Sequence, residues 1–171
     1  MGILESKELT ELVCVINNDK VRGTVYFRNR LVSKNTGTIT AVEILYDITG
    51  LNSNSLHGFH IHQSGDLTDN CESLCSHYNP HNKKHGGLYD ADSHAGDLGN
   101  IQTDMNGRAN GKLITTKFNL GEIVGRSVIV HMDEDDLGKG PYSDSLTTGH
   151  SGKRIGCGII GISKDCKSLK V

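Results

Sequence analysis

Histidine residues with a spacing that suits metal binding are the most informative feature of this sequence. Seven of its nine histidines lie between residues 57 and 94. Within that region His60 and His62 alternate with the apolar residues Phe59 and Ile61, which predicts a β-strand with both imidazoles on one face. Residues two apart along a strand are separated by ~6–7 Å, so both rings could bind one metal ion. The pair alone is weak support, because two surface histidines can have this spacing by chance.

A second group of metal-binding side chains follows in a glycine-rich stretch. His77, His85, His94 and Asp97 provide three imidazoles and one carboxylate, a set that typically binds zinc with tetrahedral geometry. The stretch contains few apolar residues, so we expect a metal ion to supply part of its ordering energy. The alternative interpretation is a polar, histidine-rich surface loop.

One further histidine lies far from both groups in the sequence. His131 ends the apolar run 127–130, a position where a histidine is often a buried structural residue. If it lies beside His60 and His62, the three rings would form an all-imidazole site, which suits copper.

The elements that must position these side chains are predicted to be β-strands. Val, Ile, Thr and Tyr are frequent in seven segments, and turns rich in Asn, Asp and Gly separate several of them. The predicted strands are 11–17, 21–30, 37–47, 58–62, 108–116, 127–131 and 155–162. Residues 104–107 are typical of a hairpin turn, in which Gly107 would take a positive φ.

Two long stretches, 63–100 and 132–154, have no predicted strand and hold most of the His, Asp and Gly residues. Long structureless loops are uncommon unless they are functional or disordered, so we expect two functional loops. The second loop begins with the acidic run 133–136, and for three of its four members we expect a solvated turn.

Composition excludes several classes of protein. The chain has 171 residues and a net charge of −2, which suits one domain and argues against a nucleic-acid-binding protein. No apolar run approaches the ~18 residues of a transmembrane helix, so no membrane partner is expected. The N-terminus lacks the features of a secretory signal, so we expect a cytoplasmic protein. Five cysteines are too few for a disulfide scaffold, and disulfides are uncommon in reducing compartments.

Taken together, these residues resemble the copper/zinc superoxide dismutase family. The matching segments occur in the family's order and at its spacings over about residues 12–163, which leaves an N-terminal extension 1–11 and a C-terminal tail 164–171. They are residues 56–62, 65–66, 77–80, 85–87, 94–100, 130–131, 135–140 and 154–158.

The resemblance implies the fold, activity and partners of that family. The expected fold is all-β, a Greek-key β-sandwich or flattened eight-stranded barrel with two long functional loops. The expected activity is the conversion of two superoxide anions and two protons into O2 and H2O2 by cycling of copper, with zinc in a structural role. The family also implies a homodimer and a copper chaperone as a possible partner.

The resemblance further assigns roles to individual residues. Arg154 would be the active-site arginine beside copper, and His77, shared by both metals, would also act as a proton donor. Asp135 would hold one ligand of each metal, His60 and His85, while His57 would be a buried structural residue. The implied copper ligands are His60, His62, His77 and His131, the implied zinc ligands are His77, His85, His94 and Asp97, and the implied disulfide joins Cys71 to Cys157.

Some positions depart from the family's pattern. Thr147 replaces a lysine that commonly steers the anion, and Lys153 and His150 are unusual near Arg154. Cys75 is an additional thiol that could compete for Cys157. The alternative function is a non-enzymatic copper-binding or copper-delivery module, which typically lacks part of the copper set or the arginine. Both are complete here, so the enzyme is favoured.

Overall fold

Eight antiparallel strands form almost all of the regular structure. A computed structural model describes residues 9–35 and 37–164, so Cys166 and most of the predicted terminal segments lie outside the described residues. The strands are β1 (Glu11–Asn17), β2 (Arg22–Lys34), β3 (Gly37–Thr49), β4 (Leu56–His62), β5 (Asp97–Gln102), β6 (Ala109–Thr115), β7 (Ser127–His131) and β8 (Arg154–Ile162).

The strands are hydrogen-bonded in the order β5-β4-β7-β8-β1-β2-β3-β6. The edge strands β5 and β6 lie against each other, so the sheet is a nearly closed barrel. Because β3 pairs with β6 and β4 pairs with β5 and β7, the chain crosses between the two halves of the barrel after β3. The predicted all-β, eight-stranded Greek-key architecture is confirmed.

The core explains why strand β4 can carry two buried histidines. Phe59 and Ile61 are fully buried in the main apolar cluster, as their alternation with the histidines predicts. His60 and His62, on the opposite face, are also buried. A strand that is buried on both faces needs a second layer above it, and here the long loops supply that layer.

Two local predictions were wrong. The stretch 63–100 was expected to be irregular to its end, but β5 begins at Asp97. Sequence patterns did not predict this strand because it contains residues typical of turns. Its backbone is also irregular, since Gly99 has φ +80° and the ladder with β4 has a register shift. The turn 104–107 forms, with Gly107 at φ +71°, but it does not close a hairpin, since β5 pairs with β4 and β6 pairs with β3.

Other differences concern the bounds of elements. The hairpin of β2 and β3 is longer than predicted, and the ladder pairs residues from Arg22↔Thr49 to Lys34↔Gly37. Short helices lie at Leu120–Ile123 (α1) and Ser145–Thr148 (α2), with a 3-10 turn at Glu72–Leu74. Among the described residues, no helix has both the length and the apolar character needed to cross a membrane.

Candidate metal centre

Four buried histidines from three parts of the chain converge at one end of the barrel. Each offers one ring nitrogen, and the four nitrogens lie within 4.8 Å of one another. Strand β4 supplies two of the rings, and the end of β7 supplies a third. The loop after β4 supplies the fourth, His77, whose backbone pairs with His62 in an isolated β-bridge. The members of this set, called the first cluster below, are His60, His62, His77 and His131.

The protonation of two of these rings follows from what their other nitrogens contact. His62 Nδ1 lies 2.9 Å from the carbonyl oxygen of Cys75, and His131 Nδ1 lies 3.1 Å from that of Gly152. A carbonyl oxygen only accepts, so each Nδ1 must carry the proton and donate it. Each Nε2 therefore presents a lone pair.

The nitrogens of the first cluster that face one another have no hydrogen-bond partner. These atoms are buried, and they are His60 Nδ1, His62 Nε2, His77 Nε2 and His131 Nε2. Buried polar atoms without a partner are costly, and a metal ion would satisfy all four at once. Burial is also the main cause that lowers the pKa of His131 to about 4, and the positive charge of Arg154 adds to this effect. The rings are thus held in the neutral form that binds metals.

A second cluster surrounds a single carboxylate oxygen. The Nδ1 atoms of His77, His85 and His94 lie 2.8, 3.0 and 3.1 Å from Oδ1 of Asp97. The other oxygen, Oδ2, accepts from the backbone N–H groups of Gly86 and His94 at 3.0 and 2.9 Å. Burial alone would raise the pKa of Asp97, but the hydrogen bonds to the three rings outweigh it and hold the carboxyl ionised. Three imidazoles and one carboxylate fit a zinc ion.

The two clusters are joined at two points. His77 belongs to both, with Nε2 facing the first cluster and Nδ1 facing Asp97. Asp135 spans them as well, because its two carboxylate oxygens lie 2.8 Å from His60 Nε2 and 2.8 Å from His85 Nε2. Burial lowers the pKa of His85, but its hydrogen bonds with Asp135 and Asp97 outweigh this and raise it to about 9.

The position of Asp135 is itself fixed by contacts that its sequence context did not reveal. The side chain of Asn100 pairs with the backbone of Asp135 through two hydrogen bonds of 2.8 Å. Gly149 packs so closely that a Cβ atom there would lie 2.0 Å from Asp135 Oδ1 and 2.4 Å from His85 Nε2. This glycine also has φ +68°, so both space and backbone conformation require it.

The guanidinium of Arg154 lies against the loop that follows β4. It donates to the carbonyl oxygens of Cys71 (2.7 Å), Glu72 (3.1 Å) and Cys75 (2.6 Å). The carbonyl of Cys75 therefore accepts from both Arg154 and His62. The position of a backbone carbonyl cannot be inferred from residue types, so the sequence did not predict this shared hydrogen-bond acceptor.

A disulfide joins Cys71 to Cys157, with 5.8 Å between the Cα atoms, as the resemblance implies. It ties the loop to β8 across 86 residues of chain. Asn18 was also missed: its side-chain oxygen accepts from the backbone N–H of Cys157 at 2.8 Å. Of the other described cysteines, Cys14 is buried and Cys75 is exposed.

The remaining singled-out residues lie outside both clusters. His57 is fully buried, and its Nδ1 lies 2.8 Å from the carbonyl oxygen of His131, in keeping with a structural role. Thr147 and Lys153 are exposed, and so is His81, a further histidine that belongs to neither cluster. His150 is also exposed; it stacks on Tyr142 and lies 2.8 Å from Asp144.

Comparison with known proteins gives one consistent family. Residues 21–160 match a family model described as copper/zinc superoxide dismutase. A protein named superoxide dismutase (Cu-Zn) from Yarrowia lipolytica is 44% identical over 159 residues, which are 91% of this chain and 99% of that protein. One of the same name from Paramecium bursaria Chlorella virus 1 is 46% identical over 148 residues, 85% of this chain and 75% of that protein.

A solved structure agrees with the fold. The crystal structure of the clock protein EA4 superposes with a TM-score of 0.85 at 34% identity, covering 94% of this chain and 100% of that one.

The disulfide leads to a prediction about thiol reactivity. In native protein we expect an alkylating reagent to label Cys75, which is exposed, and not Cys14, since burial raises the pKa of the Cys14 thiol to about 12. Cys166 should also be free. Peptide mapping without reductant should then recover the Cys71–Cys157 peptide, with Cys14 labelled only after unfolding. A Cys75–Cys157 peptide would contradict the pairing.

Proposed function

Because this chain belongs to the copper/zinc superoxide dismutase family, and is therefore a superoxide dismutase with copper and zinc as cofactors, we propose that the first cluster binds the copper and the second binds the zinc. The observation that carries this assignment is the set of four buried, partnerless ring nitrogens in the first cluster. An all-imidazole set suits copper, whereas the three imidazoles and carboxylate of the second cluster suit zinc.

In this assignment each protein group has a separate task. Copper supplies one-electron chemistry that converts two superoxide anions and two protons into O2 and H2O2. Asp135 fixes the orientation of His60 and His85. The carbonyl of Cys75 fixes the tautomer of His62, and the carbonyl of Gly152 fixes the tautomer of His131. His77 keeps Nδ1 toward Asp97, so Nε2 faces the first cluster and could hold a proton there whenever it is not bound to the metal.

Arg154 is the proposed anion-binding group. A guanidinium has five N–H donors, and three of them are used by the carbonyl oxygens of the loop. Two donors remain on a group whose orientation is fixed, beside His62. A fixed, permanently charged fork of this kind suits a small anion such as superoxide.

We further propose that the protein is a homodimer. Val15 of β1 and Ile159 of β8 are 60% and 42% exposed, and together with Leu67 they line one surface groove. Gly161 lines the same groove without a side chain that would stand in the way of a partner. Exposed apolar residues grouped in this way are typical of protein interfaces. A second copy of this chain is the proposed occupant, in keeping with the family.

Two other proposals, on location and on a chaperone partner, rest on fewer observations. An exposed free thiol at Cys75 suits a reducing compartment, which supports a cytoplasmic location. A copper chaperone as a transient partner is proposed on the family resemblance alone.

The copper assignment predicts that the two metals can be removed separately. His131 belongs only to the first cluster and His94 only to the second. His131→Ala should lose copper and activity but keep zinc, while His94→Ala should lose zinc. His150→Ala, at an exposed histidine outside both clusters, is the matched control and should keep both metals. Metal analysis of the purified variants checks this, and equal loss of both metals from His131→Ala would contradict the assignment.

The arrangement of charge predicts two different salt dependences. Lys153 is exposed, so Lys153→Ala should lower the rate a few-fold at low salt and flatten its ionic-strength dependence, since screening acts over ~10 Å at 0.1 M salt. Arg154→Ala removes charged hydrogen bonds worth about 1.5–3 kcal/mol, so it should lower the rate roughly 10- to 100-fold at every salt concentration. Superoxide consumption measured from low to high salt checks both. An unchanged rate and slope in Lys153→Ala would refute steering by Lys153.

The dimer proposal predicts that one charge in the groove separates the subunits. Ile159→Asp should shift the protein from dimer to monomer in sedimentation experiments, because an unpaired carboxylate would be buried at the interface. Leu31→Asp is the control, since Leu31 is 73% exposed on β2, outside the groove. A wild-type protein that sediments as a monomer would overturn the proposal.

A further inference from the structure

Lys117 links the barrel to the loop that carries the second cluster. It follows the end of β6 and is half-buried, and its ammonium group reaches the segment 87–94. There Nζ donates to the carbonyl oxygen of Gly87 (3.2 Å), to Oγ of Ser93, and at the longer distance of 3.5 Å to the carbonyl oxygen of His94. A lysine ammonium has three donors, so this arrangement can use all of them.

The acceptors lie on both sides of the exposed turn in this segment. Gly87 is two residues after His85, and Ser93 directly precedes His94. The turn between them is held locally, because Asp90 accepts from the N–H of Gly87 at 2.8 Å and its carbonyl accepts from Ser93 Oγ at 2.8 Å. The ammonium group of Lys117 therefore hydrogen-bonds to both ends of the turn that connects His85 to His94.

Other hydrogen bonds among the described residues do not duplicate this contact. Over the described part of the chain, the remaining hydrogen bonds of segment 87–94 go to residues between 83 and 97. Those hydrogen bonds keep the segment together, and Leu88 packs in the main apolar cluster of the barrel, so Lys117 supplies the polar part of the attachment. Lys117 comes from a connection 20 residues beyond Asp97 in the sequence.

We propose that Lys117 is a positioning residue for the zinc site, which holds the segment 87–94 against the barrel and so slows the release of zinc. This inference rests on the proposed assignment of zinc to the second cluster. Without Lys117 the segment would keep its ligands but could move with His94, and each excursion would break one bond to the metal. Groups that orient metal ligands typically change metal affinity by about 10- to 100-fold when they are removed.

The test measures zinc release directly. Protein loaded with copper and zinc is mixed with a chromogenic zinc chelator, and the first-order rate of zinc transfer is followed. Lys117→Met, which keeps much of the aliphatic length but has no donors, should release zinc about 10-fold faster than wild type. Lys117→Arg should restore most of the slow rate. Lys112→Met is the matched control, since it removes the same charge from an exposed position on β6 and should leave the rate unchanged.

Two further readouts separate a local effect from general destabilisation. Copper retention should be unchanged in Lys117→Met, and cobalt placed in the zinc site should show altered visible absorption bands. If Lys117→Met does not fold, Ser93→Ala removes one acceptor and should accelerate zinc release by a smaller factor. Unchanged zinc release in the variant that folds would overturn the proposal, as would equal acceleration of copper loss or an equal effect of Lys112→Met.

The outcomes also separate this inference from the zinc assignment. If His94→Ala loses zinc while Lys117→Met releases it at the wild-type rate, the assignment stands and the role of Lys117 is refuted. If His94→Ala keeps its zinc, the assignment itself fails.

Discussion

Everything at the metal end of this barrel depends on one constraint: ring nitrogens with free lone pairs must be buried facing one another. These atoms are buried, and no described protein group hydrogen-bonds to them. Such an arrangement is unfavourable in a metal-free chain and favourable with metals bound, so metal binding and loop order should be coupled. The fold meets the constraint by placing His60 and His62 on a rigid central strand and bringing the other ligands to them.

Hydrogen bonds to backbone carbonyl groups hold much of this arrangement in place. The carbonyl of Cys75 accepts from His62 and from Arg154, so one atom sets the tautomer of a proposed metal ligand and the position of the proposed anion-binding group. Its residue has φ +61°, a conformation that favours glycine, and the disulfide at Cys71 fixes the chain four residues earlier. The disulfide therefore stabilises the geometry around Arg154 as well as the fold.

The sequence was sufficient to predict the β-class and the residues that form the two clusters, because both depend on side-chain type and period. Alternation places Phe59 and Ile61 on the core face of β4 and the histidines on the opposite face. The sequence was not sufficient where the structure depends on backbone groups. The strand at Asp97 has a turn-like composition, and the contacts of Asn18 and Asn100 join residues far apart in the chain. Lys117 could not be distinguished from a surface lysine until the loop it contacts was in place.

The two long loops are also coupled to each other, and this explains why neither can be treated as a separate unit. Asp135 lies at the start of the second loop but holds His85 in the first, and Gly149 in the second loop packs directly on that pair. The N–H of His85 donates to the carbonyl of Leu146 at 2.9 Å, which adds a backbone bond between the loops. A displacement of the segment 87–94 would therefore reach the region that ends at Arg154. In this way the second cluster, the proposed zinc site, can influence the geometry around the proposed anion-binding group.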